Sequence, residues 1–141
     1  MASILKVDTL TGVTTAGSIS VTGEGNSTTT NLQQGLAKGF ILQRNNSTAF
    51  ATLNSFNISA TTDNANGDTT YTVTSAMSDA NYLVFCTGGD DGTTDKHMMA
   101  LTQTGGSQQS ATTFRTFSRD ISANSTGNIE SHAQATFGDL A

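Results

Sequence analysis

His97, His132 and Cys86, with two short acidic stretches, are the residues of this 141-residue chain whose types suit chemistry. A nucleophilic triad needs a base beside an exposed nucleophile, and only the two histidines could supply one. No Gly-x-Ser-x-Gly turn presents a serine to either. Both fall in strand-like segments, where a surface or interface position suits them. No catalytic residue is assigned, and the chain is not read as an enzyme. The histidines and Cys86 lie too far apart in sequence to form a zinc-ligand spacing. In a threefold assembly one histidine per copy could meet on the axis, but no metal ligand and no cofactor is assigned. Asp90-Asp91-Gly92-Thr93-Thr94-Asp95 and the stretch from Asp63 to Asp68 carry oxygen donors without the alternating spacing of a calcium loop. They read as turns. Gly23-Glu24-Gly25 lacks the third glycine and the lysine of a phosphate cradle, and its carboxylate would repel the anion.

Composition explains this poverty. The chain holds 26 Thr and 15 Ser, no Pro, no Trp and only 12% charged residues. One cysteine excludes a disulfide-stapled scaffold. Six Lys and Arg against eleven Asp and Glu, a net charge of −5, leave no basic footprint, so no nucleic-acid partner is expected. No apolar run approaches the ~20 residues that span a bilayer, and Lys6 and Asp8 interrupt the apolar N-terminus where a signal peptide would be continuous. Membrane insertion is not expected. The phenylalanines are read as core, and two tyrosines without tryptophan supply a glycan platform poorly. Asn26, Asn46, Asn57 and Asn124 fit glycosylation acceptors, as chance produces in a chain this rich in Asn, Ser and Thr.

The elements that would position these residues are short strands. Ile4 to Leu10 alternates imperfectly, and Ser18 to Thr22 is a second candidate with Ile19 and Val21 on one face. Gly23 to Thr30 reads as an extended linker. Asn31 to Lys38 is the single helix candidate, with Asn31 as N-cap, Leu32 and Leu36 at i, i+4, and Gly39 placed as its stop. Beyond it the period is two. Phe40–Gln43, Phe50–Leu53, Phe56–Ala60, Tyr71–Thr74, Tyr82–Cys86, His97–Thr102, Thr112–Phe117 and Glu130–Phe137 read as strands. The Asn66-Gly67 dipeptide marks a hairpin, and Tyr82–Cys86 is the most apolar strand, the one expected at a doubly buried centre. Such spacing predicts an all-β chain: an antiparallel β-sandwich or jelly-roll-like knob with one short helix and an extended N-terminal arm. The expected division is an arm and linker over 1–30, then helix and knob over 31–141.

Met1-Ala2-Ser3-Ile4-Leu5-Lys6-Val7-Asp8-Thr9-Leu10, followed by Ala16-Gly17-Ser18-Ile19, resembles an N-terminal motif of small structural and fibre-like virion proteins of marine tailed bacteriophages. Leu32 to Lys38 is similar to the segment that precedes their β-rich body. Ser55–Ser59, the hairpin at Asn66-Gly67-Asp68, Thr74–Tyr82 and the ending Ala135–Asp139 look like their C-terminal knob. The resemblance implies a non-enzymatic, trimeric surface fibre or capsid decoration protein, made in the host bacterial cytoplasm and placed on the virion surface. A tail-fibre-type knob that binds a host glycan or protein receptor through Gly88–Lys96 and Gly105–Ser110 is the alternative. Ile4, Leu5, Val7 and Leu10 are then the virion anchor, adding as a strand to a capsid, portal or tail protein. Leu32, Leu36 and Phe40 are the homotrimer interface, unless that stripe simply covers its own knob.

Overall fold

The protein is described from a computed structural model, over residues 5–12, 19–22, 29–46, 49–89, 98–102, 109–120, 125–127 and 129–141. It divides into two compact units, residues 1–36 and residues 37–141. In the first, β1 (Ser20–Thr22) pairs antiparallel with β2 (Thr29–Asn31). One helical turn, α1 (Leu32–Gly35), follows, its start tied by the Leu32 amide donating to the Ile19 carbonyl at 2.9 Å. The helix expected over Asn31–Lys38 therefore shrinks to four residues. Asn31 ends β2 and directly precedes α1, and no strand occurs within residues 5–12. A helix of two turns lacks the hydrogen bonds to repay its nucleation cost.

The second unit holds the remaining strands: β3 (Gly39–Asn46), β4 (Ala49–Phe56), β5 (Ile58–Ala65), β6 (Asp68–Val73), β7 (Leu83–Gly89), β8 (Met98–Thr102), β9 (Thr113–Asp120), β10 (Ser125–Thr126) and β11 (Ile129–Phe137). They form two antiparallel sheets. One runs β4-β3-β11-β7, the other β10-β9-β6-β5 with β8 also on β9. The described residues form no single closed barrel. Gly39, expected to stop a helix, instead starts β3. It is buried, and a side chain there would crowd Thr136 Oγ1 at 3.1 Å and the Phe56 carbonyl at 3.3 Å.

Two turns carry the topology. At Asn57 the chain leaves β4 and enters the other sheet, so the continuous strand read over Phe56–Ala60 is broken there. Asn57 adopts φ 57°, a left-handed conformation that asparagine tolerates better than most residues. Its amide donates to the Lys38 carbonyl at 2.8 Å and its Oδ1 accepts from the Ser75 amide at 2.7 Å. The Asn66-Gly67 turn joins β5 and β6 as expected, with Gly67 at φ 71°. A side chain on Gly67 would lie 2.5 Å from the Gly127 carbonyl oxygen.

The sheets face each other across Ile41, Tyr71, Val73, Met77, Tyr82, Val84 and Phe114. Tyr71 and Phe114, directly paired across β6 and β9, stack with centroids 4.8 Å apart. Of the seven phenylalanines only Phe114 is fully buried; Phe40, Phe56 and Phe85 are exposed. The phenylalanine core expected from composition is thus corrected. So is the central place given to Tyr82–Cys86: β7 ends its sheet, and Leu83 and Phe85 face outward. High apolar content identifies a strand that seeks cover but does not say which neighbour supplies it.

Candidate functional site

The sheet β4-β3-β11-β7 distributes its side chains by the two-residue period. Inward it presents Ile41, Gln43 and Asn45 from β3, and His132, Gln134 and Thr136 from β11, all buried. Outward it presents Phe40 and Leu42 from β3, Phe85 and Thr87 from β7, and Ala133 and Ala135 from β11.

The inward polar set is joined across the sheets at Tyr71. The Tyr71 hydroxyl donates to Gln43 Oε1 at 2.9 Å and accepts from Gln134 Nε2 at 3.0 Å. His132 Nε2 lies 3.0 Å from both Gln43 Oε1 and the Tyr71 oxygen. A hydrogen on His132 Nε2 would serve either oxygen; the direction of these two bonds follows the tautomer. Asn45 donates to Thr69 Oγ1 at 3.3 Å. Burial pushes the His132 pKa down to about 4 and, as its largest influence, the Tyr71 pKa up to about 12. Both are neutral near pH 7. Among the described residues, Gln43 Nε2 and Gln134 Oε1 find no hydrogen-bond partner. His132, read from the sequence as a surface or interface histidine, is therefore an interior one, only 3% exposed. Its hydrogen-bond partners are Tyr71 and Gln43, so the cluster orders the interior.

The outward set has a different shape. Phe56, Phe40, Ala135 and Phe85 stand in register across all four strands. Asn54, Leu42, Ala133 and Thr87 form the adjacent row. Alanines on the third strand of that order leave a valley between taller side chains. The result is an open groove of about 450 Å³ floored by Ala133 and Ala135 and walled by Phe40, Leu42 and Phe85. Leu83, opposite Phe137, extends the apolar surface beyond one end. Arg44 and Glu130, paired at 3.3 Å, lie on the same two central strands farther along. Exposed apolar patches of a few hundred Å² mark interaction sites on soluble proteins.

On the other sheet, Asp68 and Arg115 form a two-pronged ion pair, Arg115 Nε donating to Oδ1 at 2.6 Å and Nη2 bonding Oδ2. The Arg115 hydrogen bond, opposed by burial, holds the Asp68 carboxyl below its usual range. The guanidinium also lies 5.1 Å over the Phe117 ring. Asp68 thus leaves the acidic stretch from Asp63 as a structural partner of arginine. Asp90–Asp95, His97 and most of the Gly88–Lys96 and Gly105–Ser110 loops lie outside the described residues.

Of the residues singled out in the sequence, Phe40 alone belongs to this groove. Leu5, Val7 and Leu10 are exposed, Leu32 is half-buried and Leu36 exposed, while Ile4 lies outside the described residues. Leu42, Phe85, Ala133 and Ala135 were missed. The available signal was the Ala-x-Ala spacing in β11, which places two small side chains on one face.

A family model described as the lipocalin / cytosolic fatty-acid binding protein family matches residues 12–128. Neither the curated proteins nor the solved structures give a match. The family match overturns the expected phage virion protein, whether surface fibre, capsid decoration or receptor-binding tail knob. The N-terminal motif over Met1–Leu10 and the ending Ala135–Asp139, which carried much of that resemblance, lie outside the matched residues. The threonine-rich strands between them are common to polar antiparallel sheets of many kinds.

Proposed function

The chain belongs to the lipocalin / cytosolic fatty-acid binding protein family, and from that premise we propose that it is a non-enzymatic protein that binds a small, predominantly apolar molecule. The site in this reading is the groove on the outer face of β4-β3-β11-β7. One observation carries it: Ala133 and Ala135 floor a depression of about 450 Å³ whose walls are Phe40, Leu42 and Phe85. Sites for small molecules are concave, mostly apolar and roughly 300–1,000 Å³ in volume, with a few polar groups to set orientation. Asn54 and Thr87 supply such groups at the margin. The space between the sheets is the weaker candidate, because Tyr71, Phe114, Ile41 and Met77 fill it. We read the two-sheet body as an antiparallel β-sandwich, whose packed interior moves the binding surface outside.

Titration with the neutral apolar dye Nile red tests this. Saturable fluorescence enhancement is expected. Ala135→Leu, which fills the floor without altering an inward residue, is expected to weaken it about tenfold, the scale of a methylene-sized change in an apolar pocket. Non-saturating enhancement, or equal binding by a folded Ala135→Leu variant, would overturn the assignment.

A further inference from the structure

The groove is open along its length, and small-molecule sites bury roughly 70–90% of the surface of what they hold. A single copy of this face cannot do that. The apolar surface also continues past the groove: Leu83 is 61% exposed and Phe56 55% exposed, yet neither lines the depression. A small ligand would leave both in water. Closing the groove and shielding these side chains together would take something larger than the ligand.

We propose that the cover is a second copy of the chain, the two packing through their β4-β3-β11-β7 faces so that each closes the groove of the other. This rests on the reading of the groove as a ligand site, and it adds that the site is incomplete in one copy. Size supports the choice of occupant. Phe40, Leu42, Phe56, Leu83 and Phe85 expose between 39% and 65% of their surface, which at the areas of large apolar side chains is roughly 500 Å² per copy. Both copies together then bury on the order of 1,000 Å² or more, where specific interfaces begin. Charge supports it too. The charged residues on the central strands of this face, Arg44 and Glu130, pair within one chain, so the face offers no net charge to select a charged partner. A two-fold contact asks only that an apolar patch match itself, and an apolar centre with an ion pair toward one end has the core-and-rim anatomy of such interfaces.

Light scattering and sedimentation of the full chain from about 1 μM to about 200 μM, affinities typical of small interfaces, test the pairing. The mass is expected to rise from 14.6 kDa toward twice that value. Because each copy carries a net charge of −5, added salt is expected to tighten the pair by screening repulsion. Nile red is expected to saturate at one dye per two chains or at one per groove, in either case with an affinity that rises with chain concentration. Leu83→Glu, outside the groove, is expected to weaken pairing at least tenfold and dye binding with it. Phe56→Glu repeats the test at the opposite edge of the sheet. A monomer at all concentrations that binds one dye saturably would overturn the pairing and leave the ligand site standing. Mass of three copies or more, or a pair indifferent to both substitutions, would also overturn it. A pair that both substitutions dissociate but that binds no dye would support the pairing and remove the ligand reading.

Discussion

The two faces of the sheet β4-β3-β11-β7 depart from the usual arrangement. Its inner face buries Gln43, Asn45, His132, Gln134 and Thr136, while its outer face exposes Phe40, Leu42, Leu83 and Phe85. Antiparallel sheets with one covered face ordinarily read hydrophobic inward and polar outward. A slip of one residue would swap the two sets, so the observed register, which also buries Ile41 and Val84, needs something beyond apolar burial to hold the polar set inside. On the inner side that is Tyr71, whose hydroxyl reaches Gln43, His132 and Gln134 at 2.9–3.0 Å. On the outer side Phe40, Leu42, Leu83 and Phe85 leave 39–65% of their surface exposed, so burial contributes less of their packing. Burial in this sheet therefore reflects hydrogen-bond geometry as well as apolar packing.

The largest test of this contrast sets Phe114 against Phe85. Phe114→Ala is expected to destabilise the chain by about 3–5 kcal/mol in urea unfolding, through lost packing and the cavity left behind. Phe85→Ala, in dilute solution, is expected to change stability by less than about 0.5 kcal/mol. Comparable losses at both positions would show that the outer face is part of the folding core.

Next in size is the pH dependence set by His132. Its folded-state pKa, lowered by burial from 6.5 to about 4, means that the unfolded chain takes up the proton first as pH falls. The stability involved is fully present above about pH 6.5 and is lost progressively down to about pH 4, amounting to about 3 kcal/mol. Urea midpoints across that window should decline in the parent chain and stay flatter in His132→Gln. Asp68 acts separately: its lowered carboxyl pKa contributes stability that is lost only as pH falls below the usual carboxylate range. An unchanged slope in His132→Gln would place the titration elsewhere.

The smallest expected effect comes from the hydroxyl at the centre of the inner cluster. Tyr71→Phe removes the donor to Gln43 and the acceptor for Gln134 and is expected to cost about 1–3 kcal/mol. Because the loss leaves Gln134 Nε2 with only its longer 3.4 Å bond to Thr116 Oγ1, adding Gln134→Leu should recover part of it. A double-mutant cycle measures that coupling, and simple additivity would mean the cluster acts as separate contacts.

Much of the fold was legible along the chain. Period-two alternation located most of the strands, and Asn66-Gly67 located its hairpin because only a residue tolerant of positive φ closes that turn. Asn57 was hidden, since a single left-handed residue within a strand-like run leaves the alternation intact. The candidate site was less legible. Phe40 is read from the sequence as part of a homotrimer interface with Leu32 and Leu36, but Ala133, Ala135 and Phe85 become a groove only when β11 lies between β3 and β7. Those neighbours are distant in sequence, and composition carries no record of pairing.

Taken alone, the sequence determined that this is an antiparallel all-β chain with weak charge. These properties are local: they follow from side-chain branching, turn chemistry and the alternation of successive residues. Which side of each alternating strand would be inside was decided by the tertiary structure alone. In β11 the pattern Ile-Glu-Ser-His-Ala-Gln-Ala-Thr-Phe offers a polar row and a small apolar row, and burial of either satisfies the period. Tyr71, reaching across from the other sheet, gives the polar row its hydrogen bonds, and that choice turns the alanines outward to floor the groove.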